Sequence, residues 1–154
     1  MGSWTEIESA EPEFAARVRS LFDARKHKTL ATLRRDGSPR ISGIEVEFSD
    51  GEVFLGMMPG SVKARDLRRD PRLALHSASE DPPEDDPSRW PGDAKIAGRA
   101  VEVPAEAASG PGPAAHRVRI DIDEVVVTRV GDPPDHLVIE SWHPERGLER
   151  RIRR

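Results

Sequence analysis

The sequence predicts a mainly β protein, an antiparallel barrel of six to seven short strands with small helices. From Thr29 onward, apolar residues recur with a period of two, which is typical of half-buried strands. Two Asp-Gly pairs, Asp36-Gly37 and Asp50-Gly51, interrupt this pattern and predict tight hairpin turns. Short strands joined by such turns favour a closed or nearly closed barrel, in which a functional site is expected at a rim or a subunit seam.

A short helix is predicted before the first strand, because the apolar residues within 14–22 recur at i, i+4, i+7 and i+8. A second short helix is predicted in SVKARDLRR (61–69), which ends before Pro71. The 154 residues are expected to form one domain, residues 1–154, with flexible ends at 1–10 and 145–154.

The predicted strands are short and separated by turn or loop sequences. They are TLATL (29–33), RISGIEVEF (40–48), EVFLGM (52–57), RLALH (72–76), KIAGRAVEV (95–103), RVRIDIDEVVVTRV (117–130) and HLVIESW (136–142). Gly98, in the middle of its strand, indicates a bulge or a close backbone approach. The acidic, proline-rich segment 77–93 is predicted to be an exposed loop, and residues 104–116 a flexible connection.

Composition excludes several classes of function. The formal net charge of -4 lacks the basic excess that general nucleic-acid binders show. The chain has no cysteine, which excludes disulfides, thiolate chemistry and cysteine-ligated metals. The sequence contains neither a signal-peptide core nor a segment apolar enough to span a membrane. We therefore expect a cytoplasmic protein that binds neither nucleic acid nor membranes.

Familiar catalytic and metal-binding motifs are also missing from the sequence. The five histidines do not form an H-x-x-x-H pair, so no metal site is predicted. There is no G-x-S-x-G motif, and Glu45 and Glu47 are interpreted as the polar face of a strand. No residue is assigned a catalytic role on sequence grounds.

The start of the second predicted helix carries an unusual charge. Ser61 is at the expected N-cap, which places Lys63 in the first turn, where the helix dipole disfavours a cation by about 0.3–1 kcal/mol. A bound phosphate would explain this arrangement, since free backbone N–H groups, the Ser61 hydroxyl and the Lys63 ammonium would converge on it. Extension of Lys63 into solvent is the alternative.

The other cations of this region, Arg65, Arg68, Arg69 and Arg72, have no aromatic residue among them to stack a base, which speaks against a nucleic-acid surface. Arg68, Arg69 and Arg72 are expected to be solvated, or to pair with Asp66 and Asp70.

The order of these segments, with GSVKARDLRRDPRLAL (60–75) after a strand, resembles the pyridoxamine 5'-phosphate oxidase-like superfamily. The family pattern in this segment is close to S-x-K-x-[RN]-[ND]-L-x-x-[DN]-P-R, and the resemblance extends over Glu11 to Trp142. It implies a split β-barrel of Greek-key type. It also implies a homodimer that binds FMN or the deazaflavin coenzyme F420 at its interface.

The resemblance further implies a set of cofactor-binding residues. Ser61, Lys63 and Arg40 would contact the cofactor phosphate, and Trp142 or His143 would cap the pocket from the other subunit. The complete implied set is Arg40, Ile41, Ser42, Gly56, Met57, Ser61, Lys63, Arg65 and Trp142.

Two positions depart from true pyridoxamine phosphate oxidases. Glu45 stands where those enzymes have a lysine, and Val62 where they have an arginine, so oxidation of pyridoxine 5'-phosphate is not expected. The K-x-R-[ND]-L-R-R-D-P-R form resembles the actinobacterial branch that uses F420. The implied function is hydride transfer between F420, with FMN as the alternative cofactor, and an unknown small molecule. A non-catalytic protein that binds or sequesters FMN or F420 is the alternative function.

Overall fold

The structure is a computed structural model that describes residues 2–104 and 115–154. In these residues the α-helices are α1 (Trp4–Ala10), α2 (Pro12–Asp23) and α3 (Val62–Arg69), with a short 3-10 helix at Pro87–Arg89. The strands are β1 (Lys28–Leu33), β2 (Pro39–Ile44), β3 (Val46–Ser49), β4 (Glu52–Met57), β5 (Arg72–His76), β6 (Asp93–Val103), β7 (His116–Val130), β8 (Leu137–His143) and β9 (Gly147–Arg153).

All nine strands of the described residues belong to one antiparallel sheet, which confirms the predicted fold class. Seven of them follow the order β2-β1-β5-β6-β7-β4-β3, and β8 pairs with both β7 and β9. The sheet is not closed. The two strands at the ends of the seven-strand path, β2 and β3, follow one another in the chain, so the open side of the barrel lies where β2 passes into β3.

The strand count exceeds the predicted six to seven for two reasons. The segment RISGIEVEF breaks at Glu45, because β2 pairs with β1 as far as Ile44 whereas β3 pairs with β4 from Val46 onward. The change of partner divides one predicted strand into two. In addition, the basic segment 147–153 forms β9, paired along its whole length with β8.

The prediction of flexible ends is wrong, because both ends of the chain form regular structure, α1 at the start and β9 at the end. The Ser3 side chain caps α1, and Trp4 and Ile7 on that helix are buried in the hydrophobic core. The Trp4 and Phe48 rings meet edge to face with centroids 4.8 Å apart. Two apolar residues in a single turn provide too little periodicity to predict a helix, and only the tertiary contacts reveal it.

A buried carboxylate connects α2 to the last strands. Glu140 on β8 is fully buried and accepts hydrogen bonds from Arg17 on α2, Arg129 on β7 and Arg150 on β9. Burial raises the pKa of Glu140, but the hydrogen bonds from Arg129 and Arg150 and the positive charges of Arg17 and Arg129 together outweigh that effect and hold the pKa below its ordinary value. The ion pairs therefore stabilise the packing of β9 and α2 on the sheet.

The bulge predicted at Gly98 is present, since the β6–β7 register shifts between Ala97 and Gly98. A Cβ atom on Gly98 would lie 2.2 Å from the Asp121 carbonyl oxygen, so the bulge requires glycine. Apart from the 3-10 helix, the acidic segment 77–93 is largely irregular, as predicted. Most of the predicted connection 104–116 lies outside the described residues. Among the helices that the structure describes, none has the length and apolar character to cross a membrane.

Candidate functional site

The start of α3 has the predicted cap. Gly60 turns the chain with a φ of 71°, and the Ser61 side chain accepts a hydrogen bond from the Ala64 N–H at 3.3 Å. Lys63 lies in the first turn, as expected. Its Nζ donates to the Gly43 carbonyl oxygen on β2 at 3.0 Å. The lysine therefore lies across the gap between α3 and β2 instead of extending into solvent.

A large open cleft of about 770 Å³ lies beside this lysine. Within the described part of the chain it is lined by His27, Gly43, Ile44, Glu45, Val46, Glu47, Gly56, Met57, Met58, Pro59, Lys63 and Ala115. A Cβ atom on Gly43 or on Gly56 would meet nothing within 4 Å, so these two strand positions leave bare backbone at the cleft. A flat ring can lie close to such a surface. We call this space the glycine-floored cleft.

A second cleft of about 510 Å³ lies against the outer side of α3 and β2. The described residues that line it are Arg34, Arg35, Asp36, Arg40, Val62, Arg65, Asp66 and Arg69. Guanidinium groups outnumber carboxylates there, so the space favours anions. Because β2 and the start of α3 contribute to both, this arginine cleft and the glycine-floored cleft are neighbours.

Asp66 organises the cations of the arginine cleft. Its carboxylate is buried and accepts hydrogen bonds from Arg40 Nε at 2.8 Å, Thr32 Oγ1 at 2.8 Å and Arg69 at 3.0 Å. Burial raises the pKa of Asp66, but the hydrogen bonds from Arg40, Thr32 and Arg69 more than compensate and lower it. Asp66 is therefore ionised at neutral pH.

The sequence predicted Asp66 as a partner for nearby arginines on its own helix, and Arg69 is such a partner. Arg40, by contrast, was expected to contact only the cofactor. Its pairing with Asp66 bridges residues 26 positions apart, and no local pattern indicates it.

Arg72 and Arg68, two further cations of the segment, are also ion-paired, and the partner of Arg72 is a predicted one. Arg72 binds Asp70 at 2.7 Å, and this bond lowers the pKa of Asp70 to about 2. Arg68 binds Glu102 on β6 at 2.7 Å, which the sequence did not suggest.

Most of the predicted site residues come together around these two clefts. Gly56, Met57 and Lys63 line the first, and Arg40 and Arg65 line the second. Ile41 and Ser42 lie on β2 between them, and the Ile41 side chain is 75% exposed. Nothing in the structure tests their contacts with a cofactor, so these remain predictions.

Trp142 is the exception among the predicted site residues. It is 3% exposed and part of the hydrophobic core, so its ring is not available to a second subunit in this conformation. His143, the alternative, binds Glu124 at 2.7 Å and lines neither cleft among the described residues. In the same residues, no group of three His, Asp or Glu side chains is arranged to hold a metal ion.

Comparisons with solved structures show the same fold in proteins of low sequence identity. PhzG from Burkholderia lata, solved with tetrahydrophenazine-1-carboxylic acid, superposes with a TM-score of 0.68 at 14% identity, covering 99% of this chain and 96% of its own. A pyridoxamine 5'-phosphate oxidase-related, FMN-binding protein from Nostoc punctiforme has a TM-score of 0.62 at 12% identity, covering 96% and 97%. An F420 reductase has a TM-score of 0.52 at 17% identity, covering 70% and 94%.

No curated protein sequence matches the chain. The family model described as pyridoxamine 5'-phosphate oxidase, however, matches residues 14–137, which include all the described residues that line the two clefts. Since that match covers most of the chain and the fold agrees with it, the protein belongs to the pyridoxamine 5'-phosphate oxidase-like family.

Proposed function

We propose that the protein is an oxidoreductase that binds F420, or FMN as the alternative, and transfers hydride between this cofactor and a small molecule. The observation that carries the proposal is the adjacency of the two clefts. A phosphate-bearing flavin or deazaflavin has a flat ring at one end and an anionic group at the other. The glycine-floored cleft suits the ring, and the cations on either side of the α3 start suit the phosphate.

Each end of the cofactor has residues in this chain to hold it. Lys63, the free N–H groups at the start of α3 and Arg40 would hold the phosphate. Gly43 and Gly56 would allow the ring to approach the strand backbone. When bound, the cofactor supplies a hydride donor or acceptor, and the residues of the two clefts orient it and limit access of water.

One observation favours F420 over FMN. F420 carries further anionic groups beyond its first phosphate, and the excess of guanidinium groups over carboxylates in the described lining of the arginine cleft would attract them. The likeness to both an FMN-binding protein and an F420 reductase is consistent with either cofactor. The proposal includes a homodimer, since the exposed apolar side chains Ile41, Met58 and Val62 lie around the clefts, where a second copy would cover them. It also includes the cytoplasmic location that the sequence predicts.

A binding titration tests the proposal. We expect the purified protein to bind F420 or FMN, with binding measured by absorbance and fluorescence. We expect Lys63→Ala to weaken that binding by about 1.5–3 kcal/mol, the value of a charge-assisted hydrogen bond. Arg72→Ala is the matched control, because it removes a cation that is paired with Asp70 and lines neither cleft in the described residues.

Equal binding by Lys63→Ala and wild type would show that the phosphate is not held at α3. A loss of the same size in Arg72→Ala would mean that only net charge matters. Oxidation of the reduced cofactor by candidate substrates then separates an oxidoreductase from the alternative, a carrier that binds the cofactor without turnover.

A further inference from the structure

We propose that Asp66 is a positioning residue that orients Arg40 toward the cofactor phosphate, an inference that rests on the proposed function. Asp66 cannot contact an anion favourably itself, because it is ionised and only 2% exposed. Its effect on an anionic ligand must therefore pass through the cations that it binds.

The geometry of the pair sets the direction of the Arg40 side chain. Arg40 uses Nε to bind Asp66, and within the described residues its two terminal nitrogens have no hydrogen-bond partner. A guanidinium group is planar, so fixing Nε also fixes the plane in which the terminal N–H groups point. Those N–H groups remain available for a phosphate in the arginine cleft.

The carboxylate is itself held from two sides. Thr32 on β1, which is buried, donates to the same Oδ2 that binds Arg40, and Arg69 binds Oδ1 and the Leu33 carbonyl oxygen. Asp66 therefore has little freedom to rotate. A free Arg40 side chain would have to be ordered when the ligand binds, and this arrangement removes most of that entropic cost beforehand.

Removal of the Asp66 charge has two opposing consequences. The cleft becomes more positive, which attracts anions, and Arg40 loses its anchor, which weakens a directed phosphate contact. The positioning role predicts that the second effect is larger. Thr32→Val separates the effect of charge from the effect of the anchor, because it removes a hydrogen bond to Asp66 without changing the charge of the cleft.

The experiment compares ligands with and without phosphate. Affinities of wild type, Asp66→Asn and Thr32→Val are measured for FMN and riboflavin, and for F420 and its phosphate-free deazaflavin chromophore. We expect Asp66→Asn to weaken binding of the phosphate-bearing ligands about tenfold. This is the low end of the loss of affinity seen at metal sites when a residue that orients a metal ligand is removed. Thr32→Val should weaken it about two- to fivefold. The phosphate-free ligands should bind all three proteins equally.

Two further measurements distinguish positioning from a general structural role. In an Arg40→Ala background, Asp66→Asn should cause no additional loss. By NMR, the Arg40 Nε–H should be protected from exchange in wild type and unprotected in Asp66→Asn. Glu140→Gln is the matched control, since it also removes a buried carboxylate bound by arginines but lies outside both clefts in the described residues.

The outcomes are distinguishable. If wild type prefers the phosphate-bearing ligands and Asp66→Asn retains or increases that preference, the positioning role is overturned while the proposed function stands. If Asp66→Asn weakens phosphate-bearing and phosphate-free ligands alike, its role is structural and the inference is again wrong. If wild type itself shows no preference for phosphate, the proposed phosphate site fails and the inference fails with it.

Discussion

Replacement of Gly56 by valine should make the protein more stable and at the same time strongly weaken its binding of the proposed cofactor. Gly56 is on β4, paired with Arg117 on β7, and its backbone is not in the left-handed region that favours glycine. A Cβ atom there would meet no atom within 4 Å. The side chain would therefore be accommodated by the fold and would occupy the cleft.

The expected effects on stability and on cofactor affinity have opposite signs. Glycine inside a strand costs about 0.5–1 kcal/mol relative to alanine, and β-branched residues favour strands further. For a domain of this size, about 1 kcal/mol corresponds to roughly 2–4 °C in Tm, so a rise of about 1–4 °C is expected. The added methyl groups exclude a ring from the backbone surface, and we expect at least about a 100-fold loss of affinity, equivalent to roughly 2.7 kcal/mol.

Thermal unfolding followed by circular dichroism measures the first effect, and titration with FMN or F420 the second. Gly56→Ala provides a graded control, since its single methyl group should produce a smaller loss of affinity. Unchanged binding by Gly56→Val would show that the ring does not lie on this strand. A lower Tm would show that position 56 is not open as the structure has it.

Two more substitutions test the fold. Glu140→Gln should lower the free energy of unfolding at pH 7 by about 2–3 kcal/mol, less than for a fully buried pair because the three arginines are partly exposed. Since the folded-state pKa of Glu140 is lowered, this stabilisation is complete above the unfolded-state pKa, about 4.3, and is lost as the pH falls through the folded-state pKa. Urea unfolding from pH 7 to pH 3 should show the gap between wild type and variant closing, and a constant gap would contradict the assignment. Gly98→Ala should destabilise by about 1–3 kcal/mol, because its Cβ would lie 2.2 Å from the Asp121 carbonyl oxygen, and a wild-type Tm would disprove the tight bulge.

Local patterns predicted much of the fold. The Asp-Gly turns, the helix in 14–22, the Ser61 cap and the bulge at Gly98 all depend on residues within a few positions of one another. Their signals are therefore visible in the sequence itself. Gly51 and its neighbour Asp50 both have positive φ values, as a hairpin of this type requires.

The errors arose where long-range contacts override local signals. Segment 147–153 is rich in arginine and resembles a solvated tail, yet strand pairing with β8 and the buried Glu140 order it. Helix α1 has few apolar residues, but the core encloses both Trp4 and Ile7. In the candidate site, the sequence predicted the Ser61 cap with Lys63 in the first turn of α3, whereas the Arg40–Asp66 pair and the burial of Trp142 could not be inferred from spacing.

The sequence by itself determined the chemistry at the start of α3: a capped helix with a lysine in its first turn, in a segment that resembles one family. The tertiary structure alone decided where those groups point. It brought Lys63 against Gly43, placed two bare glycine positions at the same cleft, and paired Arg40 and Arg69 with Asp66 inside the arginine cleft. The physical reason is that capping and turn preferences act within a few residues. A cleft, by contrast, forms from strands and a helix that are distant in the chain and are brought together by the burial of a shared core.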